Sequence, residues 1–85
     1  MTDTFRDNGA AGRFELDVDG RQAFAVYRRD GDRLVIDHVE AEPVLRGTGA
    51  AGRLMEQVVA AARAENRTIV PRCGYAASWL RRHQG

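Results

Sequence analysis

The chain contains no lysine: its 13 basic residues are all arginine, set against 12 Asp and Glu. That excludes a P-loop, whose last glycine is followed by Lys-Ser/Thr. It also leaves no internal lysine to acetylate, and it fits a G+C-rich coding bias. Cys73 is the one cysteine. No intramolecular disulfide or cysteine-built zinc cage can therefore form, packing must hold the fold, and a reducing compartment suits it. The two histidines, His38 and His83, lie far apart without metal-ligand spacing, so no metal is expected. No apolar run approaches the ~20 residues that span a bilayer. The first residues, with Asp3 and Asp7, lack the basic and apolar regions of a secretory signal. A cytoplasmic location with no membrane partner is the expectation. A net charge of +1 supplies no global field for nucleic acid. The pairs Arg28-Arg29 and Arg81-Arg82 read as solvated element ends without the aromatic interleaving of a strand binder, so no nucleic-acid partner is expected.

What is present suits one domain with a small core, since a chain this short buries only about 60–65 % of its unfolded surface. Residues 1–8 are polar apart from Phe5 and are expected to be a flexible N-terminus, with a single domain over 9–85. Phe14, Leu16 and Val18 alternate with acids, the two-residue period of a half-buried strand. Asp19-Gly20 is a hairpin turn signal, Gln22 to Arg28 a second strand, and Asp30-Gly31-Asp32 another turn. Arg33 to Ala41 reads as a third strand, stopped by Pro43. On it, Leu34, Ile36, His38 and Glu40 alternate onto one expected face. A helix is expected from about Gly47 to Glu65, with Leu54, Met55, Val58, Val59 and Ala62 at helical spacing and Asn66 as a left-handed cap. Thr68-Ile69-Val70 is a short buried strand, parallel to the strand before the helix. A last helix runs from Tyr75 or Ala76 to His83, burying Trp79 and Leu80. The expected class is α/β (α+β): three antiparallel strands, a helix, a parallel strand and a short C-terminal helix.

The stretch Arg46-Gly47-Thr48-Gly49-Ala50-Ala51-Gly52 joins strand to helix. There the first helical turn offers N–H groups without intrahelical partners, and its dipole favours an anion. Gly47 and Gly49 let a ligand approach the backbone. A dinucleotide fingerprint does not fit, because Gly47-x-Gly49 runs on to Ala51-Gly52 and then into helix.

Read as Arg46-x-x-Gly49-x-Ala51, this stretch resembles the Q/R-x-x-G-x-G/A motif of the GNAT acetyltransferase superfamily. The likeness extends over about residues 33–84: His38 and Glu40 on the preceding strand, Leu45-Arg46-Gly47-x-Gly49, Leu54, Ala62-Arg63, Ile69-Val70-Pro71-x-Cys73-x-Tyr75 and Arg82-His83. These resemble the compact YjdJ-type branch, which includes N-acetyltransferase domain-containing protein 1. Val39 stands where threonine is frequent, and the helices that cover one side of the sheet in longer relatives are missing. The resemblance implies a minimal GNAT-like fold, acetyl-CoA as co-substrate, and an amine or protein acceptor across a shallow, open pocket. It further implies pyrophosphate binding by backbone groups of Gly47, Thr48, Gly49, Ala50, Ala51 and Gly52, with Val39 and Arg46 beside them. The alternative function is a coenzyme A-binding module with little or no catalysis, acting through a protein partner.

Acetyl transfer needs a neutral amine, a polarised thioester carbonyl and a proton for the leaving thiolate. Glu40 is a candidate base, its basicity raised by partial burial, or else a solvated strand end. His38 reads as a hydrogen-bonded packing residue. Cys73 is a candidate nucleophile at a helix start, or a small packing residue. Tyr75 is a candidate acid for the thiolate, or packing. Arg46 contacts phosphate, or pairs with Glu42 or Glu56. Thr48 could add a hydroxyl to the phosphate site.

Overall fold

Alternating apolar positions in the first half and a 3.6-residue period in the middle build a five-stranded sheet backed by two helices. A computed structural model describes residues 2–83. The strands are β1 (Asp3–Asn8), β2 (Arg13–Val18), β3 (Arg21–Asp30), β4 (Arg33–Ala41) and β5 (Thr68–Pro71), in the order β1-β2-β3-β4-β5. The first four are antiparallel and β5 joins β4 in parallel. A single 3₁₀ turn (Pro43–Leu45) leads to α1 (Ala50–Ala64), and α2 (Gly74–His83) follows β5. The fold is thus the expected minimal GNAT-like α+β layout, with one antiparallel strand more than the three expected.

That extra strand corrects the reading of residues 1–8 as a flexible terminus. Asp3–Asn8 pairs with β2 along its whole length, Asp3 opposite Val18 and Asn8 opposite Arg13. The polar composition misleads because its charges are spent on partners. Arg6 reaches Glu15 at 2.7 Å and Asp17 at 2.5 Å, Asp7 accepts from Tyr27 and from Arg29, and Asp3 holds Arg53 at 2.6 Å. Phe5 stacks on Phe14 at 5.5 Å. The sheet therefore begins before Gly9. Met1, Gln84 and Gly85 lie outside the described residues.

Both helices contribute to one core on one side of the sheet. Phe14, Leu16, Ala23, Ala25, Leu34 and Ile36 point up from the strands, Leu54, Met55 and Val58 down from α1, and Ala76 and Trp79 in from α2. The opposite face is lined by Arg6, Arg13, Glu15, Phe24, Val26, His38 and Glu40. Strand alternation and the observed pairing put all of these side chains on that side. Among the described residues no helix covers it. Asn66 adopts the expected left-handed cap, with φ 55°.

Alternation along β4 does not run straight through. Tyr27 pairs with Ile36, but Val26 pairs with His38, so Asp37 is an extra residue and the strand bulges there. The extra residue inverts the parity. Leu34 and Ile36 face the core, whereas beyond the bulge Val39 and Ala41 take that side, and His38 and Glu40 turn to the open face. The expected common face for Leu34, Ile36, His38 and Glu40 is corrected accordingly.

Candidate active site

The bulge also ends the pairing of β4 with β5. The last paired residues are Ile36 and Pro71, and Arg72 closes the ladder by donating its N–H to the Ile36 carbonyl at 2.9 Å. On the other edge β4 keeps its bonds to β3: the Glu42 N–H donates to Gln22 at 3.0 Å. Antiparallel bonding alternates, so Glu40 and His38 also bond toward β3, and the peptide groups of Val39 and Ala41 point into the gap where β5 would have continued. The gap is an open backbone edge.

A crevice of about 320 Å³ occupies it, lined by Val39, Glu40, Ala41, Leu45, Arg46, Gly47, Gly49, Ala50, Ala51, Gly52 and Tyr75. Its floor is the turn between the 3₁₀ segment and α1. Gly47 and Gly49 hold φ of 80° and 84°, left-handed angles that disfavour any side chain. Thr48 shapes the turn: its N–H and its hydroxyl both donate to the Leu45 carbonyl, the hydroxyl at 2.5 Å, and its Oγ accepts the Ala50 N–H at 3.3 Å. The threonine proton is therefore spent inside the turn. Among the described residues, the N–H groups of Gly47, Gly49, Ala51 and Gly52 find no acceptor. No acidic residue stands in the first turn of α1 to satisfy them. Four free donors at a helix start make an anion cradle.

Arg46 projects from this turn and is exposed. Neither expected pairing forms: Glu42 accepts the Gln22 N–H at 2.6 Å and lies 3.9 Å from Arg21, and among the described residues Arg46 has no ion-pair partner. Arg53, one turn into α1, braces the turn instead, donating to the Thr48 carbonyl at 3.1 Å and to Asp3 at 2.6 Å. Strand β1 is thereby tied to the loop.

The candidate catalytic residues are placed differently from one another. Glu40 borders the crevice with its side chain on the open face, 52 % exposed, so the burial expected to raise its basicity is absent. His38 lies beside it, Nε2 to Oε1 at 3.1 Å. Tyr75 also lines the crevice, its hydroxyl turned toward Gly52. Burial pushes that phenol above its ordinary pKa, and Arg82 partly offsets the rise, so the proton is kept at neutral pH. Cys73 is a half-buried free thiol packed partly against the core. Its carbonyl accepts the Ala77 N–H at 3.0 Å, which puts it at the start of α2, but it is not among the residues that line the crevice. The structure brings Val39, Glu40, Arg46, Gly47, Gly49, Ala50, Ala51, Gly52 and Tyr75 together, and leaves Thr48 and Cys73 beside them.

Sequence reasoning missed the free edge at Ala41 and the wall at Leu45. The early end of β5 creates the first and the 3₁₀ turn, which buries Leu45, the second, and only the short Thr68-Ile69-Val70 run signalled that β5 would stop early. Among the described residues no group of three or more His, Cys, Asp or Glu is placed to hold a metal. No helix among them is long and apolar enough to cross a membrane.

Fold and crevice together define a small α+β domain whose opened sheet edge and helix-start cradle suit an elongated anionic ligand. Residues 13–85 match the family model described as GCN5-related N-acetyl-transferase, and the chain belongs to that family. A search of the curated proteins returns no match.

Proposed function

We propose that the protein is an acetyl-CoA-dependent N-acetyltransferase of the compact YjdJ-type, transferring acetyl to an amine of a small molecule or protein in the cytoplasm. The observation that carries this reading is the set of four unpartnered N–H groups at Gly47, Gly49, Ala51 and Gly52, continuous with the free β4 edge. The pyrophosphate would sit on the N–H cradle with Arg46 over it. The pantetheine arm would run along Val39 and Ala41 as a strand does, and bring the thioester beside Glu40 and Tyr75. Acetyl-CoA supplies the activated acyl group. Glu40 takes the ammonium proton of the acceptor arriving from the open face, and the neutral amine adds to the thioester carbonyl. As the C–S bond breaks Tyr75 gives its phenolic proton to the departing thiolate, the second nitrogen proton returning through water to the phenolate. Transfer is direct, because Cys73 stands outside the crevice wall and the open face lets an amine reach the thioester. The half-exposure of Glu40 favours one rival, a coenzyme A-binding module with little catalysis.

Calorimetric titration with acetyl-CoA, followed by a turnover scan over amine acceptors, tests this. Arg46→Glu is a cleaner lesion than a glycine substitution, which would strain the turn whether or not phosphate binds there. It should weaken acetyl-CoA binding by about 10-fold or more, as expected for replacing a charge-assisted contact by a repulsive one. Unchanged affinity would remove the cradle assignment. Tight binding with no turnover on any amine would favour the binding module, and acetylated Cys73 in intact-mass spectra would replace direct by covalent transfer.

A further inference from the structure

The open sheet face carries a chain of side-chain contacts that ends on Glu40. It starts at Glu15, which is 2 % exposed and yet ionised. Hydrogen bonding from Arg13, then from Asn8 and Arg6, holds its carboxyl below the ordinary range against the opposing effect of burial. Arg13 donates to Glu15 at 2.6 Å, Arg6 at 2.7 Å and Asn8 at 3.1 Å, so the carboxylate is clamped from two strands. Removing one partner from such a buried ion leaves the rest uncompensated, which makes the cluster stiff. The Arg13 guanidinium in turn lies 4.6 Å above the Phe24 ring. Phe24 is the direct cross-strand partner of Glu40 and meets the His38 ring edge-on at 6.5 Å and 62°. His38 closes the chain with its 3.1 Å bond to Glu40 Oε1.

A carboxylate only accepts, so the bond requires hydrogen on Nε2 of His38. That leaves the second carboxylate oxygen for an incoming amine. An exposed histidine–carboxylate pair standing alone gains little and wanders among rotamers. Here the imidazole has a ring against it, and the ring a guanidinium fixed to a buried anion. The charged groups near the pair are accounted for on each strand. On β4 and β3, Asp37 is engaged by Arg28 at 2.8 Å and faces Arg72 at 3.9 Å, and on β2 Arg13 is neutralised by Glu15.

We propose that His38, braced through Phe24 and Arg13 by the buried Glu15 cluster, is a positioning residue that orients the Glu40 carboxylate toward the acceptor amine. The proposal rests on the acetyltransferase reading above. It assigns a purpose to a polar face that the fold alone does not need.

The test measures acetyl-CoA turnover with a lysine-containing peptide and with a polyamine, using the better acceptor for the wild type. His38→Ala should lower kcat by about 10-fold, with KM for acetyl-CoA and the melting temperature little changed. His38→Gln places an amide N–H near the position of Nε2 and should recover most of the loss. In a Glu40→Gln background His38→Ala should cost nothing further, because the two residues act as one unit. Phe24→Leu should reproduce a smaller part of the effect, about 3-fold, at unchanged cofactor affinity. Equal kcat in His38→Ala and wild type, equal loss in His38→Ala and His38→Gln, or full additivity with Glu40→Gln would each overturn the positioning role alone. A wild type that binds acetyl-CoA but turns over neither acceptor would overturn the enzymatic reading and this role with it.

Discussion

The two halves of β4 are four residues each and separated by one, yet they do opposite work. Leu34, Val35 and Ile36 are buried, and the segment Arg33–Ile36 is bonded to β3 on one edge and to β5 on the other. His38 and Glu40 are more than half exposed, and the His38–Ala41 segment is bonded on one edge only. Asp37 makes the difference. A sheet interior spends every backbone group on its own ladder, so a strand can offer peptide groups to a ligand only where a neighbour stops. The bulge gives both conditions at one residue: it turns the acid outward and marks where β5 stops.

Deleting Asp37 alone would only straighten the strand and leave His38 opposite Val26; deleting Asp37 together with His38 is the most severe way to break this contrast. Val39 would then follow Ile36 directly, and unbroken alternation would carry Glu40 toward the helices and Val39 and Ala41 toward solvent. Burying that unpaired charge costs several kcal/mol, of the order of the whole stability of a domain this small. The deletion variant should fail to give a cooperative melt by circular dichroism. A well-folded deletion variant with wild-type acetyl-CoA affinity would show that the parity switch is dispensable.

Substitutions in the two halves sharpen the contrast because they should fail in different ways. Glu40→Gln should lower turnover by roughly 10²- to 10⁴-fold if the carboxylate is the base, with the melting temperature and cofactor affinity nearly unchanged. Ile36→Ala, in the fully buried half, should cost about 2–5 kcal/mol of stability. At temperatures where it remains folded it should keep kcat within a few-fold. Thermal melts and steady-state kinetics on both variants decide the matter, and a destabilised Glu40→Gln or a stable but inactive Ile36→Ala would erase the division.

Much of the scaffold half was legible, and the reasons are physical. The alternation in Phe14-Leu16-Val18, the period of α1 and the Asp19-Gly20 turn are local patterns that survive in the fold. The glycine turn was legible too, because Gly47 and Gly49 occupy angles that other residues avoid. The bulge was not. Its one local sign is the polar pair Asp37-His38, which puts Val39 and Ala41 out of phase with Leu34 and Ile36, and it is the pairing with β3 that sets the new register beyond Tyr27. Nor was β1, whose polar residues look solvated until Glu15, Tyr27, Arg29 and Arg53 are brought against them by residues distant in sequence. Strand β1 also precedes the stretch that matches the family model, although through Asp3 it holds the arginine that braces the loop.

The smallest expected effect is an acid-sensitive tie at the scaffold end of the sheet. Arg29, near Leu34, grips Glu65 at the end of α1 at 2.8 Å and Asp7 of β1 at 2.8 Å. Hydrogen bonding from Arg29, and then from Arg67, holds the Glu65 carboxyl at about 2, against an ordinary value of 4.5. A carboxyl depressed in the fold adds stability that is complete above the unfolded value and is lost as pH falls through the folded one. The tie should therefore hold above pH 4.5 and fade toward about 2. Glu65 is partly exposed, so after solvent screening the contribution is roughly 1 kcal/mol. For a domain of this length that corresponds to about 4–8 °C in melting temperature. Glu65→Gln should melt lower than wild type at neutral pH by that margin, and the two melting curves should converge as pH approaches 2. Other paired carboxylates, Glu15 and Asp37 among them, lose stability in acid in both proteins and cancel in the difference. Parallel curves across the acid range would mean that the Arg29–Glu65 pair contributes nothing, and that packing alone holds α1 against the buried half of β4.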